Sequence, residues 1–387
     1  MTLSIASTLL LGGLAFWWGT RLGRWLLQQG ATARDMFIGR NWVSVAFLGI
    51  YVAMMFIVLY APQWHWLPME WRVQGMHVTW TAMRVMLLGI CGVGMVVCWY
   101  TLRRQVLLVA IIGLLGMSSF TTAEHYLLAP IHASLVDNLM PNGVYRQTSS
   151  SSCAAAAMAT VLRSWGKDVP ESRVAELAGT SRLGTSMPQL ILAARALGMD
   201  GLEVKRTTWK QVQQINRPGI LASWLIDGTG RRSPHAIALL GMDDDTALIA
   251  DPALGKLFAL SPEQLQRVWR REYVPLYYPE AVTLSPTDVK RYLDGLGYEL
   301  SLDAMQTAAL EQFQTDVGVR PTGELDALTA LLLSGDFFEN APRLSEGLLS
   351  EGLPSEGLPS EGLPSEGLRS NGGFDSQHEF DVRSTDS

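Results

Sequence analysis

The sequence predicts an α-helical membrane bundle of about four spans, then a mixed α+β domain, a small three-helix unit and a disordered tail. Three observations carry this. Long uncharged apolar runs are confined to residues 1–130; residues 140–340 mix helical and strand-like patterns around one cysteine and one histidine; and a five-residue unit repeats near the C-terminus.

Hydrophobic residues make up 48% of the 387-residue chain and charged residues only 17%, and the apolar weight lies at the N-terminal end. Leu3 to Thr20 carries no charge, Asn41 to Met69 has only His65, and Val85 to Leu102 and Gln105 to Ala123 have none. Spans are therefore expected near 3–20, 42–63, 83–102 and 105–123. Each run can cross a hydrocarbon core of ~30 Å at ~1.5 Å per residue. Trp17, Trp18, Trp42, Tyr60, Trp99 and Tyr100 lie at the run ends, where aromatic rings favour the membrane–water boundary. No basic residue precedes the first run and no cleavage pattern follows it, so it reads as a retained span in contact with lipid. Arg21, Arg24, Arg34, Arg40, Arg103 and Arg104 fall on one side of the membrane, and only Arg72 and Arg84 on the other. Excess basic charge marks the cytoplasmic side. Both termini, and the soluble domains, are thus expected outside. Cys91 and Cys98 sit two turns apart on the third span, a spacing that suits packing and forbids a mutual disulfide. The net charge of −6 offers no basic patch for nucleic acid.

In residues 140–278 the chemistry centres on Cys153. It opens an alanine-rich helical run, Cys153-Ala-Ala-Ala-Ala-Met158, after Gln147-Thr-Ser-Ser-Ser-Ser152. A free thiol has a pKa of ~8.5, and the positive end of a helix favours its thiolate. His235 begins an apolar strand, His235-Ala-Ile-Ala-Leu239, and Asp251 opens Asp251-Pro-Ala-Leu-Gly255. A histidine can take the thiol proton and return it to a leaving group, and a carboxylate on its second nitrogen fixes the tautomer. Gln147, six residues before the thiol, can place an amide at the oxyanion position. The other five histidines lie in or near the membrane region (His65, His77, His125, His132) or in the tail (His378), which leaves His235 alone with Cys153. No set of residues suggests a metal or an organic cofactor.

Residues 140 to about 278 resemble the C39 family of papain-like cysteine peptidases, which includes domains that cleave leader peptides from bacteriocins. The resemblance rests on the six-residue step from Gln147 to Cys153, Val161-Leu-Arg-Ser-Trp-Gly166, Gly184-Thr-Ser-Met-Pro-Gln-Leu190 with Ala193-Ala-Arg-Ala-Leu-Gly198, Pro218-Gly-Ile220, the His235 strand, Asp251-Pro-x-x-Gly and Trp269. The family usually has Asp-Cys-Gly at the thiol; here it is Ser152-Cys153-Ala154, with Ser152 expected to cap the helix. The resemblance implies a papain-like α+β fold, cleavage of peptide or protein substrates after a double glycine, catalytic roles for Cys153, His235, Asp251 and Gln147, and a bacterial inner or plasma membrane location.

Residues 286–335 show short amphipathic patterns with glycine turns. They resemble the peptidoglycan-binding-like three-helix domain, through Thr307-Ala-Ala-Leu310, Phe313-Gln314, Gly318-Val319 and Thr322-Gly323-Glu-Leu-Asp326. Asp303-Ala304 stands where that family has Asp-Gly. From Ser345 to Arg369 the unit Ser-Glu-Gly-Leu-x repeats five times, mostly with proline at x, and the whole of 340–387 is expected to be disordered. The expectation is a membrane-anchored cysteine endopeptidase with an extracytoplasmic catalytic domain, for which peptidoglycan and a separate transporter are further candidate partners. Two other readings stay open: a non-catalytic sensor of peptides or cell wall, and a cargo-processing subunit of an export machine.

Overall fold

The structure is a computed structural model that describes residues 2–30, 32, 42–60, 67–226, 229–298, 305–338 and 341–350. Arg34, Arg40, His65, the Asp303-Ala304 turn, His378 and the repeats beyond 350 lie outside the described residues. In chain order the elements begin with helices α1 (Thr2–Gln28), α2 (Trp42–Tyr60), α3 (Met69–Val73), α4 (Gly75–Thr101) and α5 (Arg104–Leu127). Then come β1 (Asn138–Leu139), β2 (Tyr145–Arg146), α6 (Cys153–Ser164), α7 (Glu171–Ala178), α8 (Met187–Ala196), β3 (Asp200–Gly201), β4 (Val204–Lys205) and α9 (Trp209–Ile215). Strands β5 (Gly219–Ile226), β6 (Arg232–Met242), β7 (Ala247–Asp251) and β8 (Lys256–Leu260) follow, then α10 (Pro262–Val268) and β9 (Trp269–Tyr277). The chain closes with α11 (Pro286–Gly295), α12 (Met305–Asp316), α13 (Ala327–Ser334) and α14 (Leu344–Ser350). It divides into two compact units: residues 1–135 with 172–203, and 136–171 with 204–387.

In the first unit, glycines set the approach of α1 to α4. A Cβ on Gly92 would collide with the Phe16 carbonyl, and one on Gly19 with the Gly89 carbonyl. Gly19 and Gly23 form a Gly-x-x-x-Gly pair, the spacing that lets apolar helices bring their backbones together without water to drive them. Leu9, Leu10, Leu107 and Leu114 project outward, with Leu10 76% exposed. Among the described residues, α4 and α5 are long and apolar enough to cross a membrane; α1 and α2 occupy the first two expected runs.

Arg84 departs from expectation. The count of basic residues sets it beside Arg72 on one side of the membrane, but α4 starts at Gly75 and carries Arg84 two turns inside the helix. There it is buried and paired with Glu124 of α5 at 2.5 Å, with His77 Nδ1 3.1 Å from the same carboxylate. A charge normally ends an apolar run; a buried partner removes that constraint.

The second unit is built on an antiparallel sheet. Along it the order is β9-β5-β6-β7-β8, with β4 pairing β9. Helix α6 packs on this sheet through Ala154–Ala157, all buried, small side chains that let the helix axis come close. Gly219 is required where β5 meets β9, because a Cβ there would meet Pro275 Cα at 2.8 Å. Helices α9 and α10 each begin with a reciprocal capping box, Thr208/Gln211 and Ser261/Gln264, which satisfies N–H groups that a helix start leaves free.

The α11–α13 unit is fastened to this domain by a buried arginine. Arg217 is fully buried and donates to the carbonyls of Gly335 at 2.8 Å and Ser334 at 3.3 Å. Gln214 donates to Leu332 O at 3.0 Å. Inside the unit, Gln314 is buried and holds the Thr322-Gly323 turn through its amide oxygen, at 2.7 and 2.9 Å. Phe313 packs on Tyr298 at 5.8 Å between ring centroids, so this Phe-Gln pair is internal.

The start of the tail is ordered, against expectation. Residues 344–350 form α14, which packs on β6. Leu349 replaces proline at the end of the first repeat, and Leu344 is wholly buried. Tertiary packing thus overrides a composition that disfavours an isolated helix.

Candidate active site

Cys153 is the first residue of α6. A turn over Ser149–Ser152 leads into it, closed by Ser152 N–H donating to Ser149 O at 3.2 Å. Ser152 occupies the capping position, yet its hydroxyl does not cap: it donates back to Ser149 O at 2.9 Å and accepts from Ser149 N–H at 3.0 Å. The first N–H groups of α6 are therefore left for other acceptors.

His235 lies in β6, where it pairs across the sheet with Ser223 of β5. Asp251 ends β7, one residue past Ala250, which pairs with Ala238. That register puts His235 and Asp251 on one face as a diagonal pair, within reach of long side chains. Asp251 is fully buried, and its Oδ1 accepts from His235 Nε2 at 2.8 Å and from Ala253 N–H at 2.8 Å. Its Oδ2 has no partner among the described residues. The turn back to β8 closes with Gly255 N–H on Asp251 O at 2.8 Å, and Gly255 sits at φ +67, the left-handed region that favours glycine.

With Nε2 committed to Asp251, Nδ1 of His235 is the nitrogen left for the thiol, which hydrogen-bonds to the ring. The Cys153 residue is partly exposed while its sulfur is well buried. Burial alone would push the thiol up. The hydrogen bond and charge of His235, with the backbone N–H groups of Ala236 and Ala154, outweigh it and hold the thiol below its ordinary value. Burial would likewise push His235 down, but the carboxylate of Asp251 and then the thiolate pull it well above the usual imidazole range. Both shifts favour a thiolate–imidazolium pair over a neutral pair.

Gln147 is brought to the same loop. Its backbone N–H donates to Pro252 O at 2.8 Å, tying it to the turn after Asp251. Its side-chain amide donates to Ser149 O at 3.0 Å, leaving a second amide N–H for another acceptor.

Two residues escaped the sequence. Glu171 is wholly buried; its carboxylate accepts from Thr148 N–H at 3.1 Å and Thr148 Oγ1 at 2.9 Å, pinning the loop that runs into Cys153. Burial raises the Glu171 carboxyl above its ordinary value, against the pull of the hydrogen bonds from Thr148. In sequence it reads as an ordinary first-turn acid after Pro170. Ser223, opposite His235, is buried, and its hydroxyl lacks a partner among the described residues; nothing in a run of apolar strand residues flags it. Among the described residues no cluster of three His, Cys, Asp or Glu is placed to hold a metal ion.

A profile of the peptidase C39 family matches residues 142–279, the stretch that carries this arrangement. An uncharacterized protein of Methanothermobacter marburgensis is 37% identical over 114 residues, covering 30% of this chain and 74% of that protein. Residues 142–279 of this chain belong to the peptidase C39 family. Solved structures are similar to part of this chain. The peptidase domain of Streptococcus ComA, described as a bi-functional ABC transporter involved in quorum sensing, shares 22% identity at a TM-score of 0.31, covering 35% of this chain and 98% of that one. A double glycine motif protease from an AMS/PCAT transporter, solved with its leader peptide, shares 24% at a TM-score of 0.30, covering 35% and 90%.

Proposed function

We propose that this protein is a membrane-anchored cysteine endopeptidase whose catalytic domain faces the exterior. The observation that carries the reading is the chain of contacts from the Cys153 thiol through His235 to buried Asp251. The Cys153 thiolate attacks the scissile carbonyl carbon, and the developing oxyanion takes hydrogen bonds from Gln147 and from backbone N–H at the start of α6. The His235 imidazolium gives its proton to the departing amine as the C–N bond breaks, leaving a thioester on Cys153. Water then attacks the thioester, His235 takes the proton, and the thiolate leaves. Asp251 holds the ring in one orientation and stabilises its positive charge.

The outward leucines of α1 and α5 and the glycine-mediated contact of α1 with α4 support membrane anchoring by these helices. The family resemblance favours peptide substrates cut after small residues, a double glycine first among them. The α11–α13 unit is the part proposed to contact cell wall, through its surface, since Gln314 and Phe313 face inward. A peptidyl electrophile ending in Gly-Gly tests the assignment on the detergent-solubilised full chain. Labelling should map to Cys153 and outpace labelling of a free thiol; labelling at the free-thiol rate would overturn the enzymatic reading.

A further inference from the structure

The first Ser-Glu-Gly-Leu repeat is seated on the second unit by contacts that read its own residues. Strand β6 is irregular between Leu239 and Gly241 in its pairing with β7, and α14 crosses it there. The seat is a glycine-to-glycine approach: a Cβ on Gly241 would lie 2.9 Å from Leu348 N and 3.0 Å from Gly347 C, and one on Gly347 would collide with the Leu240 carbonyl. Beside it, Asn216 and Ser345 bond reciprocally, with Ser345 N–H donating to Asn216 Oδ1 at 3.0 Å and Asn216 Nδ2 donating to Ser345 Oγ at 3.3 Å. Asn216 is itself buried and held in a left-handed conformation at φ 52, and Asp336 takes another of its amide hydrogens at 2.8 Å. Leu344 is fully enclosed.

The seat therefore selects a serine, a glycine two residues on, and an apolar residue just before the serine. Those features recur. Leu349-Ser-Glu-Gly-Leu353 repeats Leu344–Leu348 in all five residues, and three further copies follow with proline as the apolar residue before serine. We infer that the cleft of Asn216 and Leu240–Gly241 is a binding site for Ser-Glu-Gly-Leu peptide, and that the later repeats of the same chain, at 350–353, 355–358, 360–363 and 365–368, occupy it in exchange with the first. Shifting to the second copy adds five residues to the tether from α13, and closure cost grows only slowly with loop length. All copies are tethered to one seat, so each is present at high effective concentration. The tail thus docks in steps of five residues.

The test uses the full chain in detergent and a fluorescein-labelled synthetic peptide matching 349–363, read by fluorescence anisotropy. In one variant every copy is altered (Ser345, Ser350, Ser355, Ser360 and Ser365→Ala; Gly347, Gly352, Gly357, Gly362 and Gly367→Val). In a second, only Ser345→Ala and Gly347→Val are made. The all-copy variant should bind the peptide saturably, and adding Gly241→Val should abolish that binding. The wild type and the single-copy variant should both bind at least about tenfold more weakly, because their intact repeats hold the seat. A chain ending at Arg343 should bind as the all-copy variant does, so the comparison survives misfolding of either. Absence of saturable binding to both repeat-free chains overturns the site. Equal binding by the single-copy and all-copy variants overturns the exchange.

Discussion

Replacing Asp251 separates a catalytic carboxylate from a turn-starting one. Its Oδ1 holds both His235 Nε2 and Ala253 N–H at 2.8 Å in a fully buried site. In Asp251→Ala both donors lose their acceptor, and removing one partner of a buried pair costs about 3–5 kcal/mol. If about 3 kcal/mol of this falls on the imidazolium, at about 1.4 kcal/mol per pKa unit, the equilibrium constant for the thiolate–imidazolium pair over the neutral pair drops about 100-fold. Asp251→Asn keeps an oxygen for both donors but puts an NH2 where Oδ2 lacks a partner among the described residues. One unsatisfied buried donor costs about 1–3 kcal/mol, so Asn should retain roughly a tenth of the activity. The assay is kcat/KM for cleavage of a double-glycine peptide, with thermal unfolding to confirm that each variant is folded. Asn and Ala equally harmless would reduce Asp251 to the opening residue of its turn and refute the triad.

The ion pair sets the pH profile. The thiol is held below its ordinary value and the imidazole above, so the active pair exists between the two. Cleavage should fall on the acid side as the lowered thiol gains its proton, and on the alkaline side only above neutrality, as the raised imidazolium loses its own; an alkaline limb near pH ~6.5 would contradict the arrangement. In the helical bundle, Gly92→Leu should lower thermal stability in detergent by about 1–3 kcal/mol, because its side chain meets the Phe16 carbonyl, whereas Gly13→Ala should be silent because nothing among the described residues lies within 4 Å of a Cβ there. Equal effects at the two sites would discount the close α1–α4 approach. A periplasmically active reporter fused after residue 340 should be active, from the bias of basic residues toward the opposite loops; cytoplasmic activity would invert the orientation.

Much of the candidate site was legible because its chemistry is scarce. One cysteine and one histidine fall in residues 140–340, and short local patterns mark their elements: small residues after Cys153 for a close-packed helix, apolar residues after His235 for a buried strand, Asp-Pro-x-x-Gly for a strand-end turn. Illegible features are those that tertiary structure alone creates. Glu171 follows Val169-Pro170 as any exposed first-turn acid would, and only the fold buries it under the Cys153 loop. Arg84 counts in sequence as a basic residue flanking the membrane because its partner, Glu124, lies on another helix. Arg217 gave no hint of fastening α13, since its acceptors are backbone carbonyls, which no side-chain pattern records. Helix α14 was missed because Gly-rich repeats carry no intrinsic helicity, and the Gly241–Gly347 contact that holds it needs both partners in view.

Peptide cleavage by Cys153→Ser, compared with wild type, bears most directly on the central claim. The substitution is nearly isosteric at the first position of α6, so folding should be unchanged, while serine beside a base tuned for a thiol is a far poorer nucleophile. Mass spectrometry of a Gly-Gly peptide library incubated with each protein should show products with the wild type and none with the variant. Undiminished cleavage by Cys153→Ser would remove Cys153 from the mechanism.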